Sequence, residues 1–259
     1  MVNIQDETIL REFNLYPLWV RREALNQIDT CTSPFQANAQ TEVISIPSLD
    51  ASKAKSPEIV QKREAEPASS NRIIPDADWP ELKKKVTDCT ACKLRATCTQ
   101  TVFGVGDEKA EWLFVGEGPG ADEDEQGEPF VGQAGKLLDN MLAAIKLKRG
   151  NKVYIANVVK CRPPNNRTPE ADEITQCLPY LQRQIALIKP KLIVALGKTA
   201  ATALLGRDAT LGSLRGTKHD YQGVPLIITY HPAYLLRSPA EKAKAWQDLC
   251  FALTAFTAR

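Results

Sequence analysis

The stretch Gly116–Gly135, GEGPGADEDEQGEPFVGQAG, constrains this chain more than any other, with six glycines, two prolines and six carboxylates in twenty residues. An apolar run, Trp112-Leu113-Phe114-Val115, precedes it and reads as a buried strand. The residues after it, Lys136-Leu137-Leu138-Asp139-Asn140-Met141-Leu142, read as the start of a helix. A loop that leaves a strand and feeds a helix is where an α/β fold places its ligand. Gly116, Gly118 and Gly120 let the backbone approach a ligand closely. A merely flexible acidic connection gives no reason to hold Phe130 and Val131 in its middle, so the stretch reads as a site.

The same alternation continues. Strands are expected at Trp112–Val115, Lys152–Val159, Lys191–Leu196 and Val224–Thr229, each short and rich in Val, Ile and Leu, as parallel strands covered on both faces are. Helical patterns separate them. One runs from Lys136 to about Leu147. A second starts at Thr168-Pro169-Glu170, with Thr168 as N-cap, and buries Ile174, Cys177, Leu178, Leu181 and Ile185, with a kink at Pro179. A third covers Thr199–Leu205 and stops at Gly206, and the last runs from Ala240 to about Phe256. The pattern predicts a three-layer α/β/α sandwich around a central, mainly parallel four-stranded sheet.

The folded body is expected to span residues 75–259. Residues 31–74 are dominated by Ser, Ala, Pro, Gln, Glu and Lys, too polar to bury a core, and read as a disordered linker. Residues 1–30 hold an amphipathic segment that reads as a docking peptide for a protein partner or as a poorly ordered tail. No apolar stretch is long enough for a membrane helix and no secretory signal is visible, so a cytoplasmic protein without a membrane partner is expected. There the seven cysteines serve as ligands or free thiols rather than disulfides. Charge is asymmetric: residues 141–259 hold 18 Lys/Arg against 7 Asp/Glu, although the whole chain is only +2. That excess favours a polyanion such as nucleic acid.

Cys89 and Cys92 form a C-x2-C pair, and Cys161 and Cys177 a C-x15-C pair. Two such pairs can converge on one tetrahedral site, and spacing alone does not separate zinc from an iron–sulfur cluster. Cys98 lies close enough in sequence to compete as a ligand. Cys31 and Cys250 have no partner signal.

The Gly-rich stretch, the run NVVKCRPPNNRTP, the cysteine set and the late segment His231-Pro232-Ala233-Tyr234-Leu235-Leu236-Arg237 together resemble the fourth, iron–sulfur family of uracil-DNA glycosylases. The likeness spans about residues 78–256, with the motifs in order. It implies a monofunctional enzyme, a monomer, that flips uracil out of DNA and hydrolyses its N-glycosidic bond. It implies a [4Fe-4S] cluster on Cys89, Cys92, Cys161 and Cys177. Phe130 would stack on uracil, Asn157 would read its Watson–Crick edge, and His231 would bond O2 as charge builds on the leaving base. Gly118 stands where better-known uracil-DNA glycosylases carry an aspartate, which leaves Glu117 and Glu123 as candidates to orient water or stabilise the sugar cation. Glu123 has a second reading, beside uracil C5. Arg162, Arg167 and Arg237 would contact phosphates, and Leu235 would fill the gap left by the flipped base.

Two other readings compete. A phosphohydrolase would hold Mg²⁺ on Asp122, Glu123, Asp124 and Glu125. A non-catalytic cluster protein would bind DNA without releasing a base. Neither requires Phe130, Asn157 and His231 at three separate strand ends.

Overall fold

The computed structural model describes residue 74 and residues 76–258, all within one compact unit, residues 72–259. The sequence expectations for residues 1–73 lie outside the described residues. Six strands form one sheet: β1 (Val105–Gly106), β2 (Trp112–Gly116), β3 (Val153–Asn157), β4 (Leu192–Leu196), β5 (His219–Tyr221) and β6 (Val224–Thr229), in the order β1-β3-β2-β4-β6-β5. The four inner strands are parallel, while β1 and β5 close the edges antiparallel to β3 and β6. The expected four-stranded sheet is thus the parallel centre of a six-stranded one. The two added strands, of two and three residues, carry no apolar run. One faint signal for β5 is its turn into β6 through Gln222 and Gly223, both at positive φ (51° and 85°), as a two-residue hairpin requires.

Side-chain alternation sorts the sheet into two faces. Leu113 and Val115, Tyr154 and Ala156, Ile193 and Ala195, and Leu226 and Ile228 share one core. It is closed by α1 (Trp79–Thr87), α4 (Ala171–Ile188) and α5 (Lys198–Leu205). The opposite face presents Trp112, Phe114, Ile155, Val194 and Ile227, and Trp112 stacks on Phe256 of α8 (Lys242–Thr257) at 4.8 Å. Helix α3 (Gln133–Ala144) buries Leu137, Leu138, Met141 and Leu142. The result is the expected three-layer sandwich. The chain also forms three short helices: α2 (Ala121–Gln126) inside the Gly-rich stretch, α6 (Leu211–Leu214), and α7 (Pro232–Arg237) after β6. No helix of the described residues is long and apolar enough to cross a membrane.

Helix α4 begins later than its sequence suggests. Its N-cap is Glu170, not Thr168, because Glu173 in the first turn reaches back to accept from the Glu170 amide at 2.7 Å. It runs unbroken through Pro179 to Ile188. The buried Glu173 carboxylate also takes both Arg167 amino groups, at 2.8 and 2.7 Å. That bidentate pairing holds its pKa below the usual carboxylate value. Glu173→Ala should destabilise the protein by about 2 kcal/mol, the one-third exposure of Arg167 holding the loss near the low end. Thermal denaturation should show a midpoint roughly 4–8 °C lower; an unchanged midpoint would show that the helix start does not depend on this bond.

Candidate active site

Register brings the site together. In the β2–β3 pairing Gly116 lies opposite Asn157, and in the β4–β6 pairing Leu196 lies opposite Thr229, so four loops leave the sheet at one level. They surround a cavity of about 570 Å³ lined by Glu117, Gly118, Glu123, Phe130, Asn157, Arg167, His231, Tyr234 and Arg237, among others. The crevice at the carboxyl ends of parallel strands is where this architecture binds ligands.

Asn157, the last residue of β3, is buried, and its Oδ1 has no hydrogen-bond partner. A buried amide oxygen without a donor is costly, and a ligand N–H would relieve it. Its main chain is fixed from behind. Lys160, itself buried, donates from Nζ to the Asn157 carbonyl at 2.9 Å and to Gln184 Oε1 at 2.7 Å. Burial lowers the Lys160 pKa to about 8, with the Cys177 sulfur acting in the opposite direction. In front, a Cβ on Gly116 would lie 2.4 Å from Asn157 Oδ1 and 2.5 Å from Phe130 Cζ, so only glycine lets the amide and the ring meet over β2.

Phe130 sits in the left-handed region, with φ of 56°, a conformation that costs a non-glycine residue energy unless its surroundings hold it. Two side chains do so. Glu123 Oε1 accepts from the Val131 and Gly132 amides at 2.9 and 3.1 Å, and its Oε2 accepts from the Gly120 amide at 3.0 Å. From the other side Arg149 donates to the Pro129 and Phe130 carbonyls, both at 2.8 Å, while Asp139 orients it. The Phe130 carbonyl rests against Gly135 of α3, where a Cβ would come within 1.8 Å of it. Glu123, which also lines the cavity, thus spends three acceptor positions on holding this loop.

Glu117 is placed differently. It lines the cavity, and only its Oε2 is occupied, by the Thr199 hydroxyl at 2.5 Å. Gly118 owes its lack of a side chain to packing, since a Cβ there would lie 2.7 Å from Val159 Cγ2. An aspartate at that position would require Val159 to move.

His231 is the N-cap of α7. Its Nδ1 accepts from the Ala233 amide at 3.2 Å, so the ring proton resides on Nε2. The ring stacks on Phe130 with centroids 5.5 Å apart. Burial lowers its pKa to about 4, Arg237 adds to the shift and Glu123 opposes it. A neutral donor beside an aromatic face and an unpaired amide oxygen can bind a planar base and stabilise charge on it as it leaves.

Other expected residues are redistributed. Leu235 is fully buried (0% exposed), whereas Tyr234 and Leu236 are exposed at 38% and 43%. This corrects the expectation for Leu235: on a short helix its side chain turns into the core, and its two neighbours face outward. Arg237 and Arg167 reach the cavity, although Arg167 is bound to Glu173. Arg162 lies off the cavity and donates to Asn166 Oδ1 at 2.7 Å. The acidic run does not converge on an ion site: Asp124 is buried and accepts from the Thr99 and Gln100 amides, and Glu123 serves the loop.

Cys89, Cys92, Cys161 and Cys177 line a second cavity, shared with Val86, Leu94, Lys160 and Tyr180. The Lys160 amide donates to Cys177 Sγ at 3.2 Å, a bond that stabilises a thiolate. Burial pushes the Cys177 thiol up to about 12 and the Cys92 and Cys161 thiols above their ordinary value. Such thiols ionise only with a strong cation beside them. No three His, Cys, Asp or Glu side chains among the described residues converge on a single-ion position. Cys98 is not part of this lining and bonds with Arg95.

Thr199, Arg149, Tyr234 and Leu236 complete the surroundings of the site without having been assigned roles from sequence, whereas the close approach expected at Gly116 is there. Thr199 and Arg149 are distant in sequence from every motif and gave no signal; Tyr234 and Leu236 lie inside one, but which residues of α7 face outward depends on the tertiary packing.

The depressed His231 pKa has a direct consequence. A base whose folded pKa lies below its ordinary 6.5 stays neutral down to about pH 4. Its contribution to stability is complete above 6.5 and is lost as pH falls towards 4. The pH profile of base release should thus show no acid limb near 6.5, and NMR titration should place the His231 midpoint near 4. A midpoint near 6.5 would refute the neutral donor.

The sequence model of the Uracil DNA glycosylase superfamily matches residues 103–250 of this chain. A type-4 uracil-DNA glycosylase of Pyrobaculum aerophilum is 47% identical over 182 residues, covering 66% of this chain and 91% of that protein. Type-4 enzymes of Archaeoglobus fulgidus and Thermotoga maritima are 46% and 44% identical, covering 61% and 63% of this chain and 83% and 85% of theirs. The cavity at the strand ends and these matches lead to one conclusion: the chain belongs to the type-4 uracil-DNA glycosylases of the uracil DNA glycosylase superfamily.

Proposed function

We propose that this uracil-DNA glycosylase reads the flipped base with Asn157, rests it against Phe130 with His231 Nε2–H facing its O2, and leaves an abasic site without cutting the strand. The unpaired Oδ1 of Asn157 carries the reading. Uracil supplies the donor it lacks, N3–H, and the Asn157 amide nitrogen donates to O4. Cytosine offers a bare N3 and an amino group, which leaves two polar groups unpaired or opposed. Phe130 gives the base a flat apolar face. As the C1′–N1 bond breaks, its electron pair passes into the uracil ring, and the charge that gathers on O2 meets His231 Nε2–H. The sugar becomes oxocarbenium-like. Glu117, with one oxygen fixed by Thr199 and the other open, steadies that cation and takes the proton of the water that adds to C1′. No lysine lines the cavity to act as a Schiff-base nucleophile among the described residues.

Arg237 and Arg162 are assigned to phosphates, Arg167 to holding the loop that carries Arg162, and Leu236 to the gap left in the base stack. Cys89, Cys92, Cys161 and Cys177 would hold a [4Fe-4S] cluster, in which each thiolate serves its own iron and need not converge with the others on one point. When bound, such a cluster would fix the loop Arg162–Glu170 against residues 89–92 and so lower that loop's entropy. A monomeric, cytoplasmic enzyme of base excision repair, with residues 1–30 docking a protein partner and 31–74 as a linker, completes the reading.

The function is tested with a uracil-containing oligonucleotide in EDTA. Free uracil should appear, with strand cleavage only after alkali; cleavage without alkali would exclude a monofunctional glycosylase. Asn157→Asp should lose about 10²–10³-fold in rate on uracil and gain measurable release of cytosine. Full uracil activity in that variant would remove Asn157 from base reading. The purified protein should be brown, with iron in excess of zinc, and Cys177→Ser should lower both colour and thermal stability. Colourless, fully active protein carrying one zinc per chain would overturn the cluster.

A further inference from the structure

A ladder of flat groups leads outward from the base cavity. The Arg215 guanidinium lies 4.2 Å from the centroid of the Tyr230 ring. Tyr230 in turn stacks on Tyr234, with centroids 5.2 Å apart and planes inclined by 18°. The inner end is anchored firmly. Arg215 pairs with Asp248 at 2.7 Å, both side chains being almost fully buried, and donates to the Lys244 carbonyl at 2.9 Å. Tyr230 is therefore held by two flat neighbours, Arg215 and Tyr234.

The outer end is the opposite. Tyr234 has one face on Tyr230, lines the rim of the base cavity, and is 38% exposed. Tyr234 and Leu236 are the two exposed large hydrophobic side chains among the described residues, and both project from α7. A ring held rigid from behind and open in front does little for the core. It is the arrangement that receives a nucleobase, because stacking needs a flat partner whose position is already fixed.

We propose that Tyr234, backed by Tyr230 and Arg215, is a stacking platform for an unpaired nucleobase next to the flipped uracil on the same strand. This rests on the uracil-DNA glycosylase reading of the cavity. The platform recognises a base by its face, so it accepts any neighbour, and it favours a strand whose bases are already unpaired. Single-stranded DNA is then the substrate from which the ladder gains most, since a duplex must first give up base–base stacking.

The test uses the full-length protein and oligonucleotides carrying 2′-fluorinated deoxyuridine, which resists hydrolysis, with 2-aminopurine on its 5′ or its 3′ side. Stacking quenches 2-aminopurine. With the unaltered protein, fluorescence in one of the two single-stranded positions should fall on binding. Tyr234→Ala should abolish that fall and weaken single-strand binding by about tenfold, with a smaller effect on duplex. Tyr234→Phe should retain both, which a role for the hydroxyl would not allow. Normal quenching and affinity in Tyr234→Ala, or equal loss in Tyr234→Phe, would overturn the platform. Uracil release from ordinary substrate by the unaltered protein is read separately: its absence would overturn the cavity reading, and its presence with no quenching in either position would overturn the platform alone.

Discussion

The position of Asn157 depends on an absence. With no Cβ on Gly116, the floor of β2 lies low enough for the Asn157 amide and the Phe130 ring to occupy the same small volume above it. The sheet register supplies the other half of the constraint, because it sets Gly116 and Asn157 side by side at the ends of adjacent parallel strands. Moving either strand by one residue would turn Asn157 to the opposite face of the sheet. The placement of the amide against the ring is therefore a property of strand pairing before it is a property of any side chain.

Around that fixed point the loop is held by polar groups facing it from two sides. Glu123 gathers amides and Arg149 gathers carbonyls, and between them they compel Phe130 to keep a backbone conformation it would not adopt alone. The carboxylate richness of the stretch is thus largely architectural. Asp124 ties it to residues 99–100, Glu123 ties it to itself, and Glu117 is left facing the cavity with an oxygen to spare.

Much of this was legible in the sequence because it rests on local signals. Runs of Val, Ile and Leu marked the four inner strands to within about two residues at most ends, and the glycines and Phe130 marked the loop as a site. The edge strands were not legible: two and three residues at a sheet border bury little, and tertiary pairing alone makes them strands. Thr168 looked like a cap because its type and the following proline fit the rule; Glu173 prevailed through a bond from inside the helix. Leu235 was misplaced for a similar reason. The resemblance pointed to that segment, but the segment forms a helix, and a helix rotates each residue by about 100° from the last, so which leucine projects is set by packing.

That helix has a further consequence. His231 is both the ring stacked on Phe130 in the cavity and the residue that begins α7, through the same Nδ1 that accepts the Ala233 amide. Asparagine or aspartate would cap the helix equally well, yet would be too short to take the ring's place over Phe130. A proton on Nδ1 would undo the cap and reverse the polarity of the ring in one event. The short helix that carries Tyr234, Leu236 and Arg237 hangs from the atom that fixes the tautomer of the ring. The outward face of α7 and the state of the ring over Phe130 are in this way fastened at a single nitrogen, so that neither can be tuned without disturbing the other.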